Sequence, residues 1–140
     1  PPLFFPPLTP PHPILSGLVG SEMCIRDRKP PWSHLTAVDT TTGDIAWRIP
    51  LGITEGLSAR RQNTGRPGRA AALVTGNNLL FIASTDDNRL RALSATSGDI
   101  LWEQVLERRG NANPMTYMGN DDKQYVVIAA SDKLEAYSLP

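Results

Sequence analysis

The sequence predicts an all-β fold built from repeated antiparallel sheets. The stretches LTAVDTTTGDIAWRI and LRALSATSGDILWEQ are nearly the same, with Gly43 and Gly98 in register 55 positions apart. Short apolar runs between turn residues, at 79–84 and 124–131, are typical of buried strands. The 13 prolines and 11 glycines among 140 residues oppose a helical core. Internal repetition of this kind indicates a fold assembled from copies of one small unit.

Each apolar run is followed by a strand of alternating character. Residues 88–95 and 132–139 share this pattern, and Leu90 corresponds to Leu134 at an offset of 44. The same offset relates Phe81 to Tyr125 without a gap. Each unit is therefore three or four strands in about forty residues, a length typical of one blade of a β-propeller. The predicted fold is a partial β-propeller of about two to three blades.

The repeated Gly-Asp-Ile stretch predicts a turn that enters an outer strand. Glycine tolerates a positive φ, so Gly43 and Gly98 are expected to close hairpins. Trp47 and Trp102 then lie in the outermost strands, where an indole can cover the sheet edge and dock on the turn of the next blade. Both tryptophans are expected to have a structural role.

Residues 1–28 differ from the rest of the chain. Prolines recur every second or third position in PPLFFPPLTPPHPIL, which opposes a helix or a central strand and predicts an extended or disordered segment. The stretch LVGSEMCIRDR, residues 18–28, resembles the conceptual translation of a sequencing adapter joined to a coding sequence. We therefore expect a non-native, disordered segment over 1–28, with the propeller blades at 29–140 and further blades upstream in the natural protein.

Charge and composition limit the partners of the chain. Fourteen basic residues balance fourteen acidic ones, so no net field favours nucleic acid or an anionic membrane surface. The single cysteine, Cys24, with His12 and His34, cannot assemble a zinc-type ligand cluster. No metal ligand is expected in this chain.

The order of motifs resembles one family. The pattern Ala-x-x-Gly-x-x-x-Trp at Ala95, Gly98 and Trp102 is similar to the tryptophan-docking motif of quinoprotein propellers, although the first copy has Thr40 in place of the alanine. PPW, NTGRPGRA, LLFIASTDDNRLRAL, NPMTY and KQYVVIAA follow in an order that resembles the C-terminal end of glucose-dehydrogenase-like enzymes dependent on pyrroloquinoline quinone (PQQ).

The resemblance implies an eight-bladed periplasmic propeller, either free or membrane-associated through an upstream region. It implies PQQ and calcium as cofactors of the full-length parent, a sugar or alcohol as substrate, and a quinone or cytochrome as electron acceptor. The catalytic aspartate would lie in earlier blades, so no catalytic residue is assigned here. The fragment alone is expected to be inactive. The clustered acids Asp86, Asp87, Asp121 and Asp122 are expected to be solvated turn residues.

Three residues are candidates for binding the quinone. Arg69 and Asn113 correspond at the 44-residue offset, and each precedes the first strand of its blade, where the family holds the cofactor. Arg69 offers a planar set of donors, and Asn111 and Asn113 offer amide groups. A role for both asparagines in the turn before Pro114 is an equal alternative.

Two function classes remain open. The first is the tail of a PQQ-dependent dehydrogenase, and the second is a non-enzymatic propeller scaffold of the kind used in outer-membrane protein assembly. The insertion at 52–70 favours the enzyme, because long loops often carry function. Its four arginines, Arg60, Arg61, Arg66 and Arg69, could meet the carboxylates of PQQ. For the first three, a solvated basic loop is the favoured alternative.

Overall fold

A computed structural model describes residues 14–19 and 29–138, with backbone alone for 14–19. Over these residues the regular secondary structure is almost entirely β-strand, as predicted. One turn of 3-10 helix, Ala59–Arg61, interrupts the strands. The strands are β1 (Ile14–Val19), β2 (His34–Asp39), β3 (Ile45–Pro50), β4 (Leu73–Val74), β5 (Leu79–Ile82), β6 (Arg89–Ser94), β7 (Ile100–Val105), β8 (Met115–Met118), β9 (Gln124–Ala130) and β10 (Lys133–Ser138).

The ten strands form three antiparallel sheets in chain order. Sheet 1 contains β1, β2 and β3, sheet 2 contains β4 to β7, and sheet 3 contains β8, β9 and β10. Neighbours in the chain are neighbours in each sheet, so every sheet is a simple meander joined by hairpins. The prediction of units with three or four strands is confirmed. Within the described residues, no helix is long and apolar enough to cross a membrane.

The 55-residue repeat is reproduced strand by strand. β2 and β3 correspond to β6 and β7, and both pairs have a register shift at the same place, after Ala37 and after Ala92. Gly43 and Gly98, in the connecting turns, have φ values of 82° and 79°. The expected positive φ at both glycines is therefore confirmed, and the bulge in each hairpin follows from the shared sequence.

The 44-residue offset holds in the first hairpin of sheets 2 and 3 and slips by two residues in the next one. Leu73 lies opposite Phe81 in sheet 2, and Tyr117 lies opposite Tyr125 in sheet 3, as a gapless offset requires. Across the next pair of strands, however, Leu79 is opposite Ser94 whereas Tyr125 is opposite Ser138. The β9–β10 register is therefore shifted by two residues relative to β5–β6. A shift of two keeps every side chain on its original face.

The three sheets stack face to face, with sheet 2 in the middle. One apolar cluster joins Leu35 of sheet 1 to Leu80 and Leu93 of sheet 2. Two further clusters join sheet 2 to sheet 3, one around Leu90 and Ile128 and the other around Phe81, Ala92 and Val126. The two central strands of sheet 2, β5 and β6, are consequently buried on both faces. Successive residues of one strand supply opposite interfaces, as alternation requires.

Strand β1 lies inside the segment that the sequence analysis assigns to a non-native origin. Its backbone is extended and pairs with β2, Ile14 opposite Asp39 and Val19 opposite His34. Residues 1–13 and 20–28, which contain Phe4, Phe5 and most of the adapter-like stretch, lie outside the described residues. The origin of residues 1–28 stays a prediction.

Candidate functional site

The three candidate cofactor-binding residues lie where the chain enters sheets 2 and 3. Arg69 precedes β4 and donates its backbone N–H to Ser84 O at 3.1 Å, next to a bridge between Gly68 and Thr85. Arg69 is four residues before Leu73, and Asn113 is four residues before Tyr117. Since those two strand residues hold equivalent positions, Arg69 and Asn113 do as well.

A hydrogen bond connects the two entering segments. The backbone N–H of Ala71 donates to Asn113 Oδ1 at 2.8 Å. This bond brings the Asn113 side chain beside the segment that contains Arg69. Asn111, two residues earlier, is exposed, as are Arg69 and Asn113. The Asn113 side chain thus links the segment that enters sheet 3 to the segment that enters sheet 2.

The side chains of Arg69, Asn111 and Asn113 fit a ligand with carboxylate and quinone oxygens. A guanidinium and two amides supply N–H groups, which carboxylate and quinone oxygens accept. Asn113 Oδ1 accepts the Ala71 N–H, and the amide nitrogen of Asn113 offers two N–H donors. Arg69 contributes a fork of donors that matches a carboxylate. Among the described residues, no group of three or more His, Cys, Asp or Glu side chains could hold a metal ion.

A buried ionic cluster lies at the hairpin between β5 and β6, and sequence reasoning missed it. The Asp87 side chain is only 2% exposed and the Arg91 side chain 1%. Asp87 accepts hydrogen bonds from the Arg91 guanidinium, from Thr85 Oγ1 at 2.6 Å and from the backbone N–H of Ile53 at 2.9 Å. The expectation that Asp87 is a solvated turn residue is wrong, because the loop that begins at Leu51 covers it.

Further ion pairs hold the same loop. Arg66 pairs with Asp86, Nε to Oδ1 at 2.6 Å and Nη2 to Oδ2 at 3.0 Å, and both side chains are about three-quarters buried. Arg89 donates to Glu55 at 2.8 Å. The expectations for Asp86 and Arg66 as solvated residues are therefore also wrong. Bidentate arginine–carboxylate geometry fixes orientation as well as distance.

The other charged residues of this region are solvated as expected. Arg60 and Arg61 are exposed in the 3-10 turn at the tip of the loop. Asp121 and Asp122 are exposed in the turn between β8 and β9, where Asp121 accepts the hydroxyl of Tyr125 at 2.8 Å. The loop over residues 51–69 is thus exposed at its tip, and hydrogen bonds from both of its ends join it to the β5–β6 hairpin.

Protonation of Asp87 should weaken the fold in acid. Burial acts to raise the pKa of Asp87, but the hydrogen bond and charge of Arg91, with the bonds from Thr85 and Ile53, outweigh it and hold this pKa below its usual value of 3.8. The pKa of Asp87 is thus lower in the folded chain than in the unfolded chain. The stabilisation that ionised Asp87 contributes is therefore complete above the unfolded pKa and is lost as the pH falls through the folded pKa.

The test compares the free energy of unfolding of the wild-type chain with that of Asp87→Asn from pH 7 down to pH 3. We expect the difference to be largest at pH 7 and to shrink steadily below about pH 4. Asp122→Asn, at an exposed turn position where asparagine tolerates the positive φ of 57°, is the matched control and should show no such trend. A difference that does not vary with pH would contradict the assignment.

Comparisons with known proteins identify the class that this architecture defines. Stacked antiparallel four-stranded units joined by meander connections are the building blocks of β-propellers. In agreement, the structure superposes on a europium-containing methanol dehydrogenase with a TM-score of 0.57 and 26% identity, over 72% of this chain and 15% of that one. The three sheets are thus part of a propeller.

The family follows from the sequence comparison. Residues 9–126 match the family model described as PQQ: Glucose/ethanol/alcohol dehydrogenase, beta-propeller domain. The chain belongs to this family. It is 38% identical over 128 residues to quinoprotein glucose dehydrogenase A of Acinetobacter calcoaceticus, covering 81% of the chain and 16% of the relative.

A second relative is named for a different substrate, glycerol. The chain is 37% identical over 135 residues to the glycerol dehydrogenase large subunit of Gluconobacter thailandicus, covering 84% of the chain and 18% of that protein. The chain therefore spans less than a fifth of the length of these relatives. Homologues are named as quinoprotein dehydrogenases, and the parent family is one of oxidoreductases.

Proposed function

We propose that this chain is the C-terminal part of a PQQ-dependent dehydrogenase that oxidises a sugar or an alcohol. The observation that carries the proposal is the family match over residues 9–126, which spans sheets 1 and 2, strand β8 and the start of β9. The bound quinone would supply the redox chemistry by accepting hydride from the substrate, with calcium beside it in the longer protein. The acid–base residues that act on the substrate would belong to upstream blades.

In the cofactor site of the longer protein, this chain would contribute residues that bind the quinone. Arg69 would donate to a carboxylate of PQQ, and Asn111 and Asn113 would donate amide N–H groups to its oxygens. Support comes from the Ala71–Asn113 hydrogen bond, which holds the two entering segments at a fixed separation. The ion pairs at Asp86 and Asp87 would keep the loop over 51–69 in place beside these residues.

The parent protein would work in the periplasm and pass electrons to a quinone or a cytochrome. The 140-residue chain alone would lack turnover, since it presents three sheets with open edges and no catalytic residue is assigned within it.

The experiment uses the longer reading frame that contains this chain. The purified protein is supplied with PQQ and calcium, and dye reduction is measured with glucose, glycerol and methanol. Turnover of at least one substrate that depends on added PQQ is expected. A longer protein that binds no PQQ and reduces no dye would favour the scaffold alternative and overturn the proposal.

The site assignment has its own test by direct PQQ binding. In the longer protein, Arg69→Ala should weaken PQQ binding roughly tenfold or more, because it removes a charge-assisted hydrogen bond. Asn113→Ala should weaken binding about three- to tenfold. Arg61→Ala and Asn120→Ala, which remove exposed side chains of the same types elsewhere, are matched controls and should leave the affinity unchanged. Unchanged affinity in both site variants would show that Arg69 and Asn113 are structural.

A further inference from the structure

The end of the loop before β4 pairs with the β5–β6 hairpin through backbone hydrogen bonds. The backbone N–H of Asp86 donates to Pro67 O at 3.1 Å, and the backbone N–H of Arg69 donates to Ser84 O at the same distance. An antiparallel bridge joins the two residues that lie between these bonds. Residues 67–69 therefore run antiparallel to the hairpin, and Arg69 is the last residue of this pairing.

The paired segments are in close contact. A Cβ added at Gly68 would lie 2.6 Å from Ser84 Oγ and 3.0 Å from Ser84 O. Ser84 itself is buried. Only a glycine lets the loop approach this closely without a shift of Ser84. While the pairing is intact, the backbone of Arg69 has little room to move against the hairpin.

The ion pair between Arg66 and Asp86 closes the upstream end of the pairing. Its two hydrogen bonds, at 2.6 and 3.0 Å, fix orientation as well as distance. Because both side chains are about three-quarters buried, solvent screens this pair less than an exposed one. Asp86 therefore holds the end of the loop twice, with its carboxylate on Arg66 and with its backbone N–H on Pro67.

A second ion pair between the loop and the hairpin lies near the start of the loop. Arg89 donates to Glu55 at 2.8 Å, and the Glu55 side chain is 70% exposed. An exposed pair of this kind contributes little to stability. Removal of the Glu55 carboxylate would therefore leave the backbone pairing beside Arg69 intact.

We propose that Asp86 is a positioning residue for the quinone site. Through Arg66 and the paired backbone, it fixes the segment from which the Arg69 guanidinium reaches a carboxylate of PQQ. This inference rests on the proposed function, in which Arg69 binds the quinone. A side chain that is held in place before its ligand arrives loses less conformational freedom on binding, so preorganisation raises affinity. The Asp86 carboxylate is itself taken up by Arg66, so its effect on the quinone passes through Arg69.

The test is a double-mutant cycle of PQQ affinity in the longer protein. Asp86→Ala should weaken PQQ binding roughly three- to tenfold, and by no more than Arg69→Ala does. In a protein that already carries Arg69→Ala, the addition of Asp86→Ala should leave the affinity unchanged, because the side chain that Asp86 positions is gone. A merely structural role would weaken binding equally in both backgrounds.

Two further variants separate positioning of Arg69 from general anchoring of the loop. Glu55→Ala, the matched control, removes the other ion pair and should leave PQQ affinity unchanged. The charge swap that combines Arg66→Asp with Asp86→Arg rebuilds the pair in reverse and should restore most of the affinity that Asp86→Ala loses. Without PQQ, amide hydrogen exchange at Arg69 should be faster in Asp86→Ala than in the wild-type protein.

The outcomes distinguish the positioning role from the site assignment. Unchanged affinity in Arg69→Ala would overturn the site assignment and the positioning role with it. If Arg69→Ala weakens binding, then additive losses in the double variant, or an equal loss in Glu55→Ala, would overturn the positioning role alone. If Asp86→Ala does not fold, the same cycle is measured with Asp86→Asn, which keeps the size of the side chain and removes its charge.

Discussion

Replacing Arg91 with alanine is expected to lower the free energy of unfolding by about 3 to 5 kcal/mol. Arg91 is the largest fully buried side chain of the described residues. It donates to Thr85, Asp87 and Glu103. Its removal would leave the Asp87 carboxylate buried without its cationic partner, which costs far more than the loss of an exposed pair.

Urea denaturation followed by tryptophan fluorescence would measure this loss. Arg61→Ala removes an exposed arginine from the loop tip and should change stability by less than about 0.5 kcal/mol. A loss below about 1 kcal/mol for Arg91→Ala would mean that water reaches Asp87 in solution. Trypsin should also cleave the loop at Arg60 and Arg61 faster in the Arg91 variant, because the Asp87 contact to Ile53 N–H would weaken.

The strands were predictable because the sequence repeats. The Gly-Asp-Ile turns and the tryptophans fix the bounds of two hairpins in the same way, down to the bulge after Ala37 and Ala92. The apolar runs at 79–84 and 124–131 contain β5 and β9. Local turn chemistry and alternation are both encoded within a few residues, so reading them requires no knowledge of the packing.

The burial of Asp87 was not predictable in the same way. Residues 85–88, Thr-Asp-Asp-Asn, have the composition of an exposed turn. What covers Asp87 is the loop containing Ile53, 34 residues earlier in the chain. The spacing of Asp87 and Arg91 and the presence of an insertion before β4 were the available signals, but neither shows which carboxylate the insertion covers. Contacts of long sequence separation need the tertiary structure.

The candidate site was partly predictable. The repeat offset correctly paired Arg69 with Asn113 as equivalent positions, because the β4–β5 and β8–β9 hairpins keep the same register. The hydrogen bond from Ala71 to Asn113 joins two different repeats, and no repeat comparison reveals a contact between copies. The two-residue slip of β10 was equally hidden, since an even shift preserves the pattern of faces.

Alanine at Gly98 is expected to be much more destabilising than alanine at the equivalent Gly43. Both glycines have φ near +80°, so each substitution costs about 1 to 2 kcal/mol of backbone strain. A Cβ at Gly98 would lie 2.8 Å from Cε3 of Trp47, whereas a Cβ at Gly43 would meet nothing within 4 Å. The overlap adds about 1 to 3 kcal/mol at Gly98 alone.

The difference in the free energy of unfolding between these two variants measures how tightly Trp47 of sheet 1 packs on the Gly98 turn of sheet 2. Trp47 is half-buried, and its Nε1 donates to Ala95 O at 2.9 Å, in the turn that contains Gly98. Displacement of the indole by a new Cβ would break this bond and expose the ring. The Gly98→Ala variant should therefore unfold at lower urea, with red-shifted tryptophan emission in the folded state, while Gly43→Ala keeps the wild-type spectrum. Equal stabilities and equal spectra for the two variants would mean that Trp47 does not rest on the Gly98 turn in solution.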